Sequence, residues 1–328
     1  MERNKWAICS KELSVADEGK LLFHSKVEAE CPSLKSYEIA FVGKPVDDRG
    51  IAACKAVAGS CTTVHKFEVD VYNSTYKIDG VIKHPPEIAK IIRDSNANHV
   101  LLEATTLGLA ELLVLLRVLH TAGLDSVKIL YVEPAEYTAS RSREEASDQE
   151  EYKLSLNQKF CGVHGFMHQY DERSRNNHVF FVGFEAGRVL NAFEQRNYEK
   201  NGPTSFAIIA GVPAFIPGWE LATIDAHLPA LEDLGVTAGG IYYAEASSIR
   251  DAYRMLWRLY SSSASEHSIF YVSPLGTKPH AIGAALFLLE TRQGDRATSL
   301  FYDHPQRVSG RSSGVGSWHL VNVSGFIS

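Results

Sequence analysis

Along the chain, short apolar runs alternate with segments whose apolar residues recur at helical spacing. YEIAFVG at 37–43 reads as a short apolar strand, followed by the polar turn Lys44-Pro45-Val46-Asp47-Asp48 and a helix over 49–58. VHKFEVDVY at 64–72 alternates like a half-buried strand, with a hairpin-like segment around Asn73-Ser74 and Asp79-Gly80. Pro85 and Pro86 suit the start of a helix that ends near Asp94. HVLLEAT at 99–105 is an unbroken apolar strand, 108–122 a helix stopped by Gly123, and VKILYVEP at 127–134 another buried strand ended by Pro134. A second series follows: strand HVFFVG at 178–183, helix 186–197, strand SFAIIAGVP at 205–213, helix 219–233, strand GGIYYAEA at 239–246, helix 248–261, strand SIFYVSPLG at 268–276, helix 279–291 and strand TSLFYDHP at 298–305. WHLVNVSGF at 318–326 reads as a final edge strand, and WAICSKEL and KLLFHSKV near the start as two strands of a small β element.

Strands that are apolar throughout and alternate with helices predict mainly parallel sheets covered on both faces. The expected fold class is therefore α/β, with two Rossmann-like units and a small N-terminal β element. The expected division is 1–36 for the β element, 37–138 for the first unit, 139–177 for a linker and 178–328 for the second unit. The linker is marked by ASRSREEASDQEE at 139–151, which is charged and short-chained. The two series also resemble each other. IAFVGKPVDDRGIAACKAV and FFVGFEAGRVLNAFEQ share a strand, Val-Gly, an acidic residue and an Arg opening a helix. HVLLEATTLGLAELLVLLRVLH and SIFYVSPLGTKPHAIGAALFLLE share an apolar strand, a small polar loop and a long apolar helix. Ligand sites in open α/β sheets lie at the carboxyl ends of strands, so two such units can present two such ends to one cleft.

Composition narrows the functional classes. The 328 residues are 45% hydrophobic and 22% charged, which excludes whole-chain disorder. The net charge of −6 argues against a coat of positive charge for unspecific duplex or membrane binding. Cys9, Cys31, Cys54, Cys61 and Cys161 are odd in number and form no C-x-x-C, and MERNKWAICSKELS is no signal peptide, so a reducing cytoplasm is expected. The stretch 107–120, interrupted by Glu111 and Arg117, is shorter than the ~20 residues that cross a bilayer.

The sharpest candidate site is Ser273-Pro274-Leu275-Gly276-Thr277-Lys278-Pro279-His280, which joins a buried strand to a buried helix. Gly276 permits close backbone approach, and free N–H groups at the helix start together with Thr277 and Lys278 suit a phosphate. The same sequence also reads as a tight turn with Lys278 in solvent. Glu103, Thr105 and Thr106 occupy a matching loop, where they could contact a ribose or base or simply cap the helix. Arg188 and Arg49 follow the first strand of each unit; either could reach a phosphate or steady its turn through a carboxylate. Arg311 lies in a basic, glycine-rich tail that could fold over a ligand or run as a surface connection. Pro213-Ala214-Phe215-Ile216-Pro217-Gly218-Trp219 is an apolar, aromatic loop suited to stacking a base, although a dimer contact or a place in the core fits it better.

No G-x-G-x-x-G or G-x-x-x-x-G-K-[ST] occurs, so no nicotinamide cofactor or P-loop is expected. No metal is expected either: the 13 histidines form no H-E-x-x-H, and His164 and His168 sit among glycines.

Gly276-Thr277-Lys278 at a strand-to-helix junction resembles the end of the Asp-Ile-Thr-Gly-Gly-Thr-Lys loop of the CRISPR-associated Rossmann-fold (CARF) domains of prokaryotic defence. Glu103, Thr105 and Thr106 match only the first half of that loop, without Gly-Gly or Lys. The resemblance implies binding of a cyclic oligonucleotide or another nucleotide messenger. The pattern leaves no room for the effector domain such sensors usually carry, so signalling through a partner protein is expected, with a second copy of this chain as a further candidate partner. Two alternatives stay open. One is an enzyme acting on a nucleotide-like substrate, with Glu103, His280, Asp303 and His304 as acids and bases. The other is a structural subunit of a defence complex.

Overall fold

In the computed structural model the described residues are 19–34, 37–95, 97, 99–137, 155–156, 159–168, 175–196, 204–233, 240–263, 268–294, 296–307 and 312–326. The strand expected at 6–13, the charged stretch 139–151 and Arg311 lie outside them. The fold is α/β, with an eight-stranded mixed sheet and a five-stranded parallel sheet.

The eight-stranded sheet is built from β1 (Leu22–Glu28), β2 (Ile39–Val42), β3 (Thr63–Asp70), β4 (Thr75–Ile78), β5 (Val81–Ile82), β6 (Val100–Glu103), β7 (Ser126–Val132) and a last strand, β17 (Trp318–Ser324). Its order is β1-β17-β7-β6-β2-β3-β4-β5. The four strands β7, β6, β2 and β3 run parallel, which is the part the uniform apolar pattern predicts. Helices α1 (Asp48–Ala58), α2 (Pro85–Asp94) and α3 (Leu109–Ala122) supply the crossovers. Asp47 caps α1 through Gly50 N–H at 3.0 Å, and Gly123, in the left-handed region at φ 86°, ends α3. Ala40, Leu101, Leu130, Ala53 and Val57 lie in the core between sheet and helix.

Short strands β8 (Glu136–Tyr137), β9 (Ser155–Leu156), β15 (Gln306–Arg307) and β16 (Ser312–Ser313) form two antiparallel pairs, β16 with β8 and β15 with β9. The five-stranded sheet comprises β10 (Arg175–Val182), β11 (Thr204–Gly211), β12 (Ile241–Ala244), β13 (Ser268–Pro274) and β14 (Thr298–Leu300). Its order is β12-β11-β10-β13-β14, and every pairing is parallel. Helices α4 (Ala186–Arg196), α5 (Trp219–Asp233), α6 (Ile249–Ser262) and α7 (Lys278–Thr291) connect these strands. α7 is buried nearly all round, as its apolar sequence requires.

Two expectations need correcting. β17 is not an edge strand: it lies between β1 and β7, antiparallel to both, so KLLFHSKV supplies the edge instead. The chain also divides differently, because 306–328 groups with 20–156 and the other compact unit spans 157–305. β17 alternates buried and half-buried positions, a pattern that identifies a strand but not the sheet that accepts it.

Candidate functional site

In the five-stranded sheet the chain starts at the central β10, builds outwards through β11 and β12, and then returns to the other side of β10 through β13 and β14. The strand order therefore reverses between β10 and β13, and a crevice at their carboxyl ends is where open α/β sheets take ligands. Gly183 follows β10, and Gly276 follows β13. A Cβ on Gly183 would lie 3.3 Å from the Leu275 carbonyl oxygen, and one on Gly276 would lie 3.0 Å from the Val182 carbonyl oxygen. The absence of a side chain at both positions lets the two turns approach closely, and a Cβ at either would be tightly packed against the other turn's backbone.

At the second turn the Leu275 amide donates to the Ser273 carbonyl at 3.0 Å, and Thr277 caps α7. The Thr277 hydroxyl accepts from the His280 amide at 3.3 Å and donates to the Ala246 carbonyl at 2.7 Å. The amides of Gly276 and Thr277 have no acceptor among the described residues. Both residues are half-buried, as is Lys278, the first residue of α7. These amides stand at the positive end of a 14-residue helix, where anions are stabilised.

His280 sits beneath this turn, fully buried. Its Nε2–H donates to the Glu245 carbonyl at 3.1 Å, which leaves Nδ1 as an acceptor, and that atom has no partner. Nδ1 lies 3.1 Å from the position of a Gly276 Cβ. Burial pushes the His280 pKa down to about 4. His227, on α5, reaches the first turn: its Nε2–H donates to the Gly183 carbonyl at 2.8 Å, its Nδ1 is unpartnered, and burial lowers its pKa. No local pattern marks His227, because its partner lies 44 residues away on another element.

The other candidates are committed to internal contacts. The Ser273 hydroxyl donates to the Phe301 carbonyl at 2.6 Å and accepts from His178 Nε2–H at 2.8 Å, with both side chains fully buried. Arg188 makes a two-pronged pair with Asp303, at 2.8 and 2.6 Å, and donates to the Leu275 carbonyl at 3.2 Å. Burial works against the guanidinium charge, but the Asp303 carboxylate outweighs it and raises the Arg188 pKa. In this structure Arg188 acts as a carboxylate clamp, with Asp303 as the main partner. His304, with φ 43°, bonds through Nε2 to the Cys161 carbonyl at 3.3 Å, and burial lowers its pKa to about 4.

In the eight-stranded sheet the corresponding turn follows β6. Glu103 is fully buried and accepts from the amides of Thr105 at 2.8 Å and Thr106 at 3.0 Å, and from the Thr106 hydroxyl. The Thr106 hydroxyl in turn accepts from the Gly43 amide at 2.8 Å, and the Thr105 hydroxyl accepts from the Val132 amide at 3.0 Å. Glu103, Thr105 and Thr106 thus come together, but as a closed network. Register fixes the comparison between the turns. Phe41 pairs with Leu102 and Phe181 with Pro274, so Glu103 and Leu275 occupy matching positions. One turn holds its own anion; the other has a leucine there.

The first helices match as well. Arg49 is buried and bonds to Asp47 at 3.0 Å, and to the Tyr131 hydroxyl and the Val132 carbonyl, each at 3.3 Å. Burial opposes the charge of Asp47, yet Arg49, the Gly50 amide and the Ser312 hydroxyl hold its pKa below the usual carboxylate value. The segment after Arg311 folds over this end of the sheet, with Ser312 donating to Asp47 at 3.0 Å and the Gly314 amide donating to Asp48 at 3.2 Å.

Among the described residues, no three His, Cys, Asp or Glu side chains come together to hold a metal ion, and no helix is long and apolar enough to cross a membrane. In the eight-stranded sheet, a cavity of about 540 Å³ is lined by Arg93, Gly123, Asp125 and Ser126, the first residue of β7, and so lies at the opposite end of that strand from the turn after β6.

No protein-family model matches this chain, and no curated protein matches it. Among solved structures, it is similar to the functionally unknown protein PA1789 from Pseudomonas aeruginosa PAO1, at 11% identity over 83% of this chain and 94% of that one, with a TM-score of 0.25.

Proposed function

We propose that this chain is a nucleotide-binding sensor whose 157–305 unit takes a phosphate group at the turn after β13. One observation carries the reading: the Gly276 and Thr277 amides lack acceptors at the start of α7, whereas a carboxylate fills the corresponding turn after β6. Backbone donors with no internal partner favour an external anion. Lys278 adds a positive charge beside them. The resemblance of Gly276-Thr277-Lys278 to the CARF loop supports a cyclic oligonucleotide or related messenger as the ligand. It also supports signalling through a partner protein, in the cytoplasm, as part of prokaryotic defence.

Glu103, Thr105, Thr106, Ser273 and Arg188 do not enter this reading, because their polar groups already serve the fold. His280 and His304 have no assigned chemical step.

Thermal shift and titration calorimetry with linear and cyclic oligoadenylates, mononucleotides and inorganic phosphate test the proposal. A ligand at a hundredfold its Kd adds about 2.7 kcal/mol of stability. Binding that weakens in Lys278→Ala, with the ligand recovered intact by chromatography, supports the sensor. Recovery of a converted product supports the enzyme alternative. No binding by any phosphate compound overturns the reading.

A further inference from the structure

The aromatic loop after β11 is not used by the phosphate turn, yet it lies at the same end of the same sheet. β11 pairs in parallel with β10, so Gly211 and Gly183 end adjacent strands. A Cβ on Gly211 would lie 3.4 Å from His280 Cε1, which places the end of β11 against the first turn of α7. From there the chain runs through Pro213, Phe215, Ile216 and Pro217 to Trp219, where α5 begins. The Trp219 amide donates to the Ile216 carbonyl at 3.1 Å, which fixes the start of the helix. Phe184, the residue after Gly183, meets the Trp219 ring edge-to-face, with centroids 5.5 Å apart and planes at 79°. Both rings are half-buried, while Pro213, Ile216, Pro217 and Gly218 are exposed.

An aromatic edge therefore starts one residue from Gly183, whose own Cβ position is 3.4 Å from the Gly276 Cα. We infer that Phe184 and Trp219 form a ring subsite, so that the ligand of the phosphate turn is a nucleotide read through its base and not a simple phosphate or sugar phosphate. This rests on the reading of the Gly276 turn given above. Two physical points select a base as the occupant. Stacking on an aromatic face is available to every nucleobase. A partly wet Trp or Phe beside an anion site also gains from covering by a flat apolar surface attached to that anion.

Titration calorimetry of the full chain with AMP, ribose 5-phosphate and inorganic phosphate separates the two proposals. The expected result is that AMP binds roughly tenfold or more tightly than ribose 5-phosphate, the scale of one base–aromatic stack. Trp219→Leu and Phe184→Leu should each bring AMP towards the affinity of ribose 5-phosphate and leave the latter unchanged, while Trp219→Phe retains most of the preference. Two leucine variants guard against one that fails to fold. If ribose 5-phosphate binds as tightly as AMP, the phosphate reading survives and the ring subsite is overturned. If none of the three binds, the ring subsite is overturned, and the phosphate reading falls with it when the linear and cyclic oligoadenylates also fail to bind. If Trp219→Leu changes the sedimentation coefficient but neither affinity, the loop is a contact between copies of the chain and the ring subsite is overturned.

Discussion

The two sheets solve the same local problem in opposite ways. After β6 and after β13 the chain turns from a buried strand into a buried helix, and each turn exposes backbone N–H groups that need an acceptor. After β6 the acceptor is built in, as Glu103 takes the Thr105 and Thr106 amides. After β13 the matching side chain is Leu275, only 4% exposed and packed into the core, and the Gly276 and Thr277 amides are left without one. The clamps around the turns, by contrast, are alike. Arg49 ties α1 to the end of β7, and Arg188 ties α4 to Asp303, just beyond β14. A shared architecture with one difference at one position makes the second turn the informative one: the first turn shows what satisfied geometry looks like, and the second has Leu275 where the first has Glu103.

The strongest way to break this comparison is through the clamps. Arg188→Met leaves Asp303, fully buried, without its charge partner and should cost about 3–5 kcal/mol in urea unfolding. Arg49→Met should be similarly costly if the clamps are equivalent.

Acid should act on the 157–305 unit through His280. Its folded pKa, about 4, lies below the ordinary 6.5, so between these values the unfolded chain binds more protons. Stability is therefore full above pH 6.5 and falls as the pH drops towards 4, by about 3 kcal/mol for this group. His304, lowered to about 4 by burial, acts in the same direction. Denaturant titrations across this range should show a shallower slope in His280→Phe.

Glu103→Gln tests the built-in anion. One acceptor oxygen replaces a carboxylate that takes three donors, so a loss of roughly 1–3 kcal/mol is expected, and phosphate should still bind at the other turn. Loss of phosphate binding in this variant would contradict the assignment of the ligand to the 157–305 unit.

The smallest structural effect is expected for Lys278→Ala. Its stability should stay within about 0.5 kcal/mol of the parent, while AMP affinity falls roughly tenfold and becomes less sensitive to salt. A stability loss far above that figure would give Lys278 a structural role like that of the arginines.

Much of the fold was legible because its signals are local. The uniform apolar runs of 99–105 and 268–276, the Pro85-Pro86 helix start and the helix stop at Gly123 sit within one or two turns of the elements they define. So was the correspondence of Phe41-Val42-Gly43 with Phe181-Val182-Gly183, which the strand registers bear out. The candidate site was legible in part. Gly276, Thr277 and Lys278 do lie at a strand-to-helix turn, but nothing in the sequence showed that Glu103, Thr105 and Thr106 consume one another's polar groups. Arg188 was open to two readings for the same reason, since its carboxylate stands 115 residues away.

Periodicity, glycine placement and capping chemistry alone determined that this chain would form two alternating α/β series and where each would turn. Only the tertiary structure decided that 318–324 enters the first sheet, between β1 and β7, and which turn amides find acceptors. The reason is physical: a secondary-structure signal is the conformational preference of neighbouring residues, whereas hydrogen-bond satisfaction depends on atoms that the chain brings together only after it has folded.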